Sequence, residues 1–209
     1  MTIHILVVGH RPRGHKMPND SEIDAIAALV AQHAPSKSQV FFVRSCESPD
    51  KLVRIVREIA AKHGLIDTLD LYDHGAGGFL QMGDALLFGR DDATDLAIAE
   101  QLRPLLTKGA RLRLLGCDTA TGAAGRKLLT KLHAAFGGDV TVLGTIASIT
   151  LSQFDELGFR RKHFEELYLY SSWEAIRDEQ ANRRPPTFDE RDDALIAWGR
   201  AQRQLLGQA

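Results

Sequence analysis

The sequence predicts an α/β fold, a three-layer α/β/α sandwich with a mostly parallel central sheet, and three observations predict it. Short apolar runs recur at Ile3 to Val8, Val40 to Val43, Leu69 to Tyr72, Leu112 to Leu115 and Val140 to Leu143. They are bounded by turn residues, as strands buried on both faces of a parallel sheet are. Segments with helical spacing of apolar residues separate them. Finally, a chain of 209 residues can bury one sizeable core and is short for two.

Each element has its own signal. After the first strand, Ile23, Ile26, Ala27 and Val30 fall on one helical face. After the second, Leu52, Val56, Ile59 and Ala60 do the same, with Ser48 and Pro49 as cap and first-turn proline and Gly64 as the stop. Phe79 to Gly83 and Ala85 to Phe88 read as a hairpin turning at Gly83 and Asp84, inserted after the third strand. A helix is expected from Thr94 to Leu106, with Pro104 weakening its last turn. Leu128, Leu129, Leu132, Ala135 and Phe136 make the next helical face. Thr145 to Leu151 and Leu167 to Tyr170 are further strand candidates, the latter at a sheet edge. The polar stretch Glu179 to Asp193 reads as a linker before a last helix near Asp192 to Leu206.

Composition narrows the function classes. Apolar residues make up 44% and charged residues 25%, so disordered and fibrous classes are excluded. A formal net charge of −1 speaks against a nucleic-acid partner. Ile3 to Gly9 is too short for a signal-peptide core or a bilayer span, so a cytoplasmic protein with no membrane partner is expected. The two cysteines build no disulfide framework and are expected as free thiols. His10 and His15 lack further ligands at metal-binding spacing, and the first strand is followed by neither a dinucleotide nor a Walker motif. No G-x-S-x-G elbow occurs. No metal and no cofactor are expected.

The chemistry-bearing residues stand where two strands end. The third strand runs Leu69-Asp-Leu-Tyr-Asp-His74-Gly75, and the fourth runs Arg111-Leu-Arg-Leu-Leu-Gly116-Cys117-Asp118-Thr119. In an open parallel sheet, chemistry collects outside the carboxyl ends of the strands. If the two are neighbours, His74 and Cys117 emerge at one rim. A helix beginning within Thr119 to Gly122 turns its positive end toward Cys117 and favours the thiolate. His74 serves as base and then as acid to the leaving amine, and the N–H groups of Gly75 and Cys117 form an oxyanion hole. Asp73 stands ready to orient His74, or to act as a cap.

At these positions the chain resembles the caspase-like cysteine peptidases. Strand, His74-Gly75, then strand, small residue and Cys117 is their pattern, and Gly109-Ala-Arg-Leu-Arg-Leu-Leu-Gly-Cys117-Asp-Thr-Ala-Thr-Gly122 is most similar to the CHAT and separase branch. The resemblance implies a caspase-like peptidase domain over residues 1–172, with 173–209 as a C-terminal extension. It implies a cysteine endopeptidase, a thiol protease acting on a protein or peptide substrate through a thioester acyl-enzyme, activated by a protein partner or by self-processing. Arg11 or Arg13, in the loop after the first strand, would then receive an acidic P1 side chain. Leu115 stands where caspases carry Gln and metacaspases Asp, which leaves P1 open, and Asp118 would instead welcome a basic residue. Two other readings stand beside the peptidase. One is a catalytically silent caspase-like interaction module that docks through its C-terminal helix. The other is a flavodoxin-like ligand-binding domain whose cysteine is incidental.

Overall fold

A computed structural model describes residues 2–10, 39–155, 158–159 and 167–169, with helical positions at Ser21, Asp24, Ala25, Ala28 and Leu29. The strands are β1 (Thr2–Gly9), β2 (Gln39–Cys46), β3 (Ile66–Tyr72), β4 (Gly75–Ala76), β5 (Phe79–Met82), β6 (Ala85–Phe88), β7 (Leu106–Leu115), β8 (Thr141–Thr145), β9 (Phe154–Asp155), β10 (Gly158–Phe159) and β11 (Leu167–Leu169). The helices are α1 (Pro49–His63), α2 (Asp92–Leu102) and α3 (Gly122–Ala135). The main sheet has six strands in the order β11-β8-β7-β3-β1-β2. Its pairs are parallel except β11 with β8, which is antiparallel. The result is a mixed α/β fold, a mostly parallel sheet flanked by helices.

Local chemistry explains the helix ends. The Ser48 side chain accepts from the Lys51 N–H at 3.4 Å, and Gly64 at φ 107° donates its N–H to the Ala60 carbonyl at 2.9 Å. These satisfy groups that α1 alone leaves open. The Asp91 side chain accepts from the Thr94 N–H at 2.7 Å and starts α2. That helix starts earlier and stops sooner than its apolar spacing predicts. Pro104 falls in a 3-10 turn, Arg103–Leu105, and Leu106 already belongs to β7. The strand candidate at Thr145 to Leu151 is corrected too: β8 ends at Thr145 and Leu151–Gln153 is a 3-10 turn. The edge strand at Leu167 and the hairpin at Gly83 are where the sequence places them. Residues Ile23, Ile26, Ala27 and Val30, and the extension 173–209, lie outside the described residues.

Strand parity divides the core in two. Ile3, Ile5, Val7, Leu69, Leu71, Leu112, Leu114 and Val142 point to the side covered by α1, α2 and α3, which bring Leu52, Val56, Ile98, Leu128 and Leu132. Leu6, Val8, Tyr72, Leu115 and Leu143 point to the other side, under Leu29, Ile149, Phe154 and Phe159. Each such side chain contributes about 1.5–3 kcal/mol when fully buried. This two-sided burial keeps the strands continuous and apolar, and it presents the loops after β3 and β7 at one carboxyl edge.

Candidate functional site

The register of β3 on β7 places Tyr72 opposite Leu115, so His74-Gly75 and Gly116-Cys117 leave the sheet side by side. They approach closely: a Cβ on Gly75 would lie 2.7 Å from Thr119 Cγ2 and 3.0 Å from Gly116 Cα. Only glycines let the two segments meet this tightly.

The loop after β7 is clamped from beneath. The Thr119 hydroxyl donates to the Leu114 carbonyl at 2.9 Å and accepts from the Thr145 N–H at 2.9 Å. The Thr145 hydroxyl donates to the Gly116 carbonyl, and the Ala120 N–H donates to the Thr145 carbonyl at 2.8 Å. Asp118 takes a left-handed backbone, φ 55°, uncommon for a residue other than glycine. Its N–H donates to the Ala147 carbonyl at 3.1 Å, and its carboxylate accepts from the Thr121 hydroxyl at 3.4 Å. Asp118 thus serves the turn that leads to α3.

The Cys117 thiol, in contrast, is directed at the segment after β8. Its sulfur accepts from the Ile149 N–H at 3.4 Å and lies 4.0 Å from the Ile149 carbonyl. Among the described residues, no hydrogen bond joins this sulfur to the His74 imidazole. Nor do three or more His, Cys, Asp or Glu side chains gather as they would around a metal ion. Asp73 is buried, and its carboxylate accepts from the main-chain N–H of His74 and of Gly83, both at 2.7 Å. It ties the turn of the β5–β6 hairpin to the chain leaving β3.

These contacts correct the expectation of a cysteine endopeptidase. A general base must lie within hydrogen-bond reach of the proton it removes, and the thiol is turned to Ile149 instead. The thiol-protease and hydrolase assignments fall with the dyad. Arg11 and Arg13 lie outside the described residues. Cys46 is buried: its thiol donates to the Ser48 carbonyl at 3.1 Å, and burial pushes it up to about 11.

One cluster escapes a reading by runs and motifs. His4, Asp70 and Arg113, on the neighbouring strands β1, β3 and β7, meet on the face opposite the three helices, at 6%, 0% and 4% exposure. Arg113 grips Asp70 with two bonds, Nε to Oδ1 and Nη2 to Oδ2, each 2.5 Å. His4 Nε2 lies 2.7 Å from the same Oδ2, and its ring meets Phe41 edge-on with centroids 4.3 Å apart. Burial pushes the Asp70 carboxyl up, but Arg113 and His4 outweigh it and hold the group down at about 2. The available signal was charge at the centre of two apolar strands, Leu69-Asp70-Leu71 and Leu112-Arg113-Leu114.

Comparison with protein families matches residues 19–146 to the family described as Domain of unknown function (DUF4347). No curated protein matches the chain. Among the described residues no helix is long and apolar enough to cross a membrane.

Proposed function

The chain belongs to the DUF4347 family, a domain of unknown function, and from that premise we propose that it is a catalytically silent interaction module on a frame of caspase-like, CHAT-like or separase-like design. The caspase-like part of the proposal draws on the order of His74-Gly75 and Gly116-Cys117 at the ends of adjacent strands. The silent part draws on one observation, the Cys117 sulfur turned onto the main chain of Ile149. A rim clamped by Thr119 and Thr145 presents a preformed surface, and preformed surfaces bind at low ordering cost.

The experiment is a displayed peptide library screened against the full chain and against Cys117→Ala. The expected result is saturable binding of the same peptides by both, without cleavage. Cleavage by the wild type that Cys117→Ala abolishes would overturn the proposal, and so would the absence of any saturable binder.

A further inference from the structure

Among the described strands, β2 is the outermost on its side of the main sheet, with β1 its neighbour. One bond settles which of its main-chain groups look outward. The His10 N–H donates to the Cys46 carbonyl at 2.7 Å, so the groups of Cys46 face β1. Successive residues of a strand direct their main-chain groups to opposite sides, so Arg44 and Phe42 also face β1, while Ser45 and Val43 face away from it. An outward row of donors and acceptors is a template for another strand.

The Arg44 side chain is laid along that row. Its Nη1 donates to the outward Val43 carbonyl at 2.7 Å, and its guanidinium carbon lies 5.5 Å from the centroid of the Phe42 ring. Phe42 in turn packs on the α1 side, with its ring 4.8 Å from that of His63. An exposed arginine has many rotamers, and holding one costs entropy. The charge-assisted bond and the cation–π contact offset that cost and fix the guanidinium where an incoming strand would seat.

We infer that Arg44 guards the outer edge of β2 against strand addition by a second copy of this chain. The run Phe41-Phe42-Val43 is aromatic and β-branched, without proline or glycine, and favours strand pairing. Two such edges brought together antiparallel about Val43 would exchange the N–H and carbonyl of that residue. Arg44 already occupies the carbonyl, and it places a positive charge beside its counterpart on the other copy. The guard acts whatever the rim binds.

The test is the mass of the full chain by light scattering across a concentration series, with circular dichroism as a check on folding. Wild type is compared with Arg44→Ala and with Arg44→Ala/Val43→Pro. Arg44→Ala is expected to move toward twice the mass of the chain at concentrations where the wild type does not. Adding Val43→Pro should reverse this, because proline at 43 removes an outward N–H and leaves the bonds to β1 intact. Ser45→Pro serves the same purpose should the Val43→Pro chain fail to fold. Equal masses for Arg44→Ala and wild type would overturn the inference. Association that the prolines do not reverse, or a wild type that already pairs through this edge, would also overturn it.

Discussion

Replacing Arg113 by methionine tests the electrostatic reasoning most severely. Asp70 has no exposed surface and depends on two bonds from Arg113 and one contact with His4. Methionine fills similar volume but leaves the carboxylate buried without its main counter-charge, a situation that costs about 3–5 kcal/mol. A second figure comes from titration. The folded-state carboxyl titrates at about 2 against an ordinary 3.8, worth about 2 kcal/mol of stability near neutral pH. Because the folded value is the lower one, the unfolded chain binds more protons between them. That stability is therefore complete above roughly pH 4 and is lost as pH falls through 3.8 toward 2. In Arg113→Met only His4 still opposes the burial that pushes the carboxyl up, so the folded-state group binds its proton more readily than in the wild type and acidification should narrow the gap between the two. The assay is urea unfolding at pH 7 and at pH 4, read by circular dichroism. A loss under about 1 kcal/mol at pH 7 would refute a strong Asp70–Arg113 coupling, as would a gap that widens on acidification.

Other expectations are simpler. Gly75→Ala should cost about 1–3 kcal/mol in the same assay, since the new methyl meets Thr119 and the Gly116 backbone; an unchanged midpoint would show that the β3 and β7 termini are less tightly packed. Thr119→Val should cost about 1–3 kcal/mol, because it strips the acceptor from the buried Thr145 N–H; a neutral result would mean that the clamp under the rim is dispensable. Cys46, buried with its thiol pushed up to about 11, should resist alkylation in native protein at neutral pH and react once urea unfolds the chain. Rapid native labelling at Cys46, mapped by peptide mass, would contradict that placement.

The parts of the fold legible in the sequence are those set by local periodicity. Runs such as Leu69 to Tyr72 and Leu112 to Leu115 announce buried strands because both of their faces are covered. The full length of β7 was hidden, since Thr107, Lys108 and Gly109 are not apolar and are more exposed than the buried run Leu112 to Leu115. Pro104 signalled the end of α2 but not that the chain would turn straight into a strand. The candidate site was legible only as far as the rim. Where the Cys117 sulfur points is decided by Ile149, 32 residues later, in a segment whose apolar residues suggest a strand although β8 already ends at Thr145. The triad was hidden for the same reason: Asp70 is 66 residues from His4 and 43 from Arg113, and only strand order and register bring them together.

Whether the Cys117 thiol works with His74 can be measured directly, as the second-order rate of iodoacetamide alkylation at Cys117 in wild type and in His74→Ala, followed by peptide mass across pH 6 to 9. Equal rates at every pH are the outcome that a silent module requires. A tenfold or greater drop on removing the imidazole would mean that the two side chains form an activated pair, and it would return the chain to the cysteine enzymes.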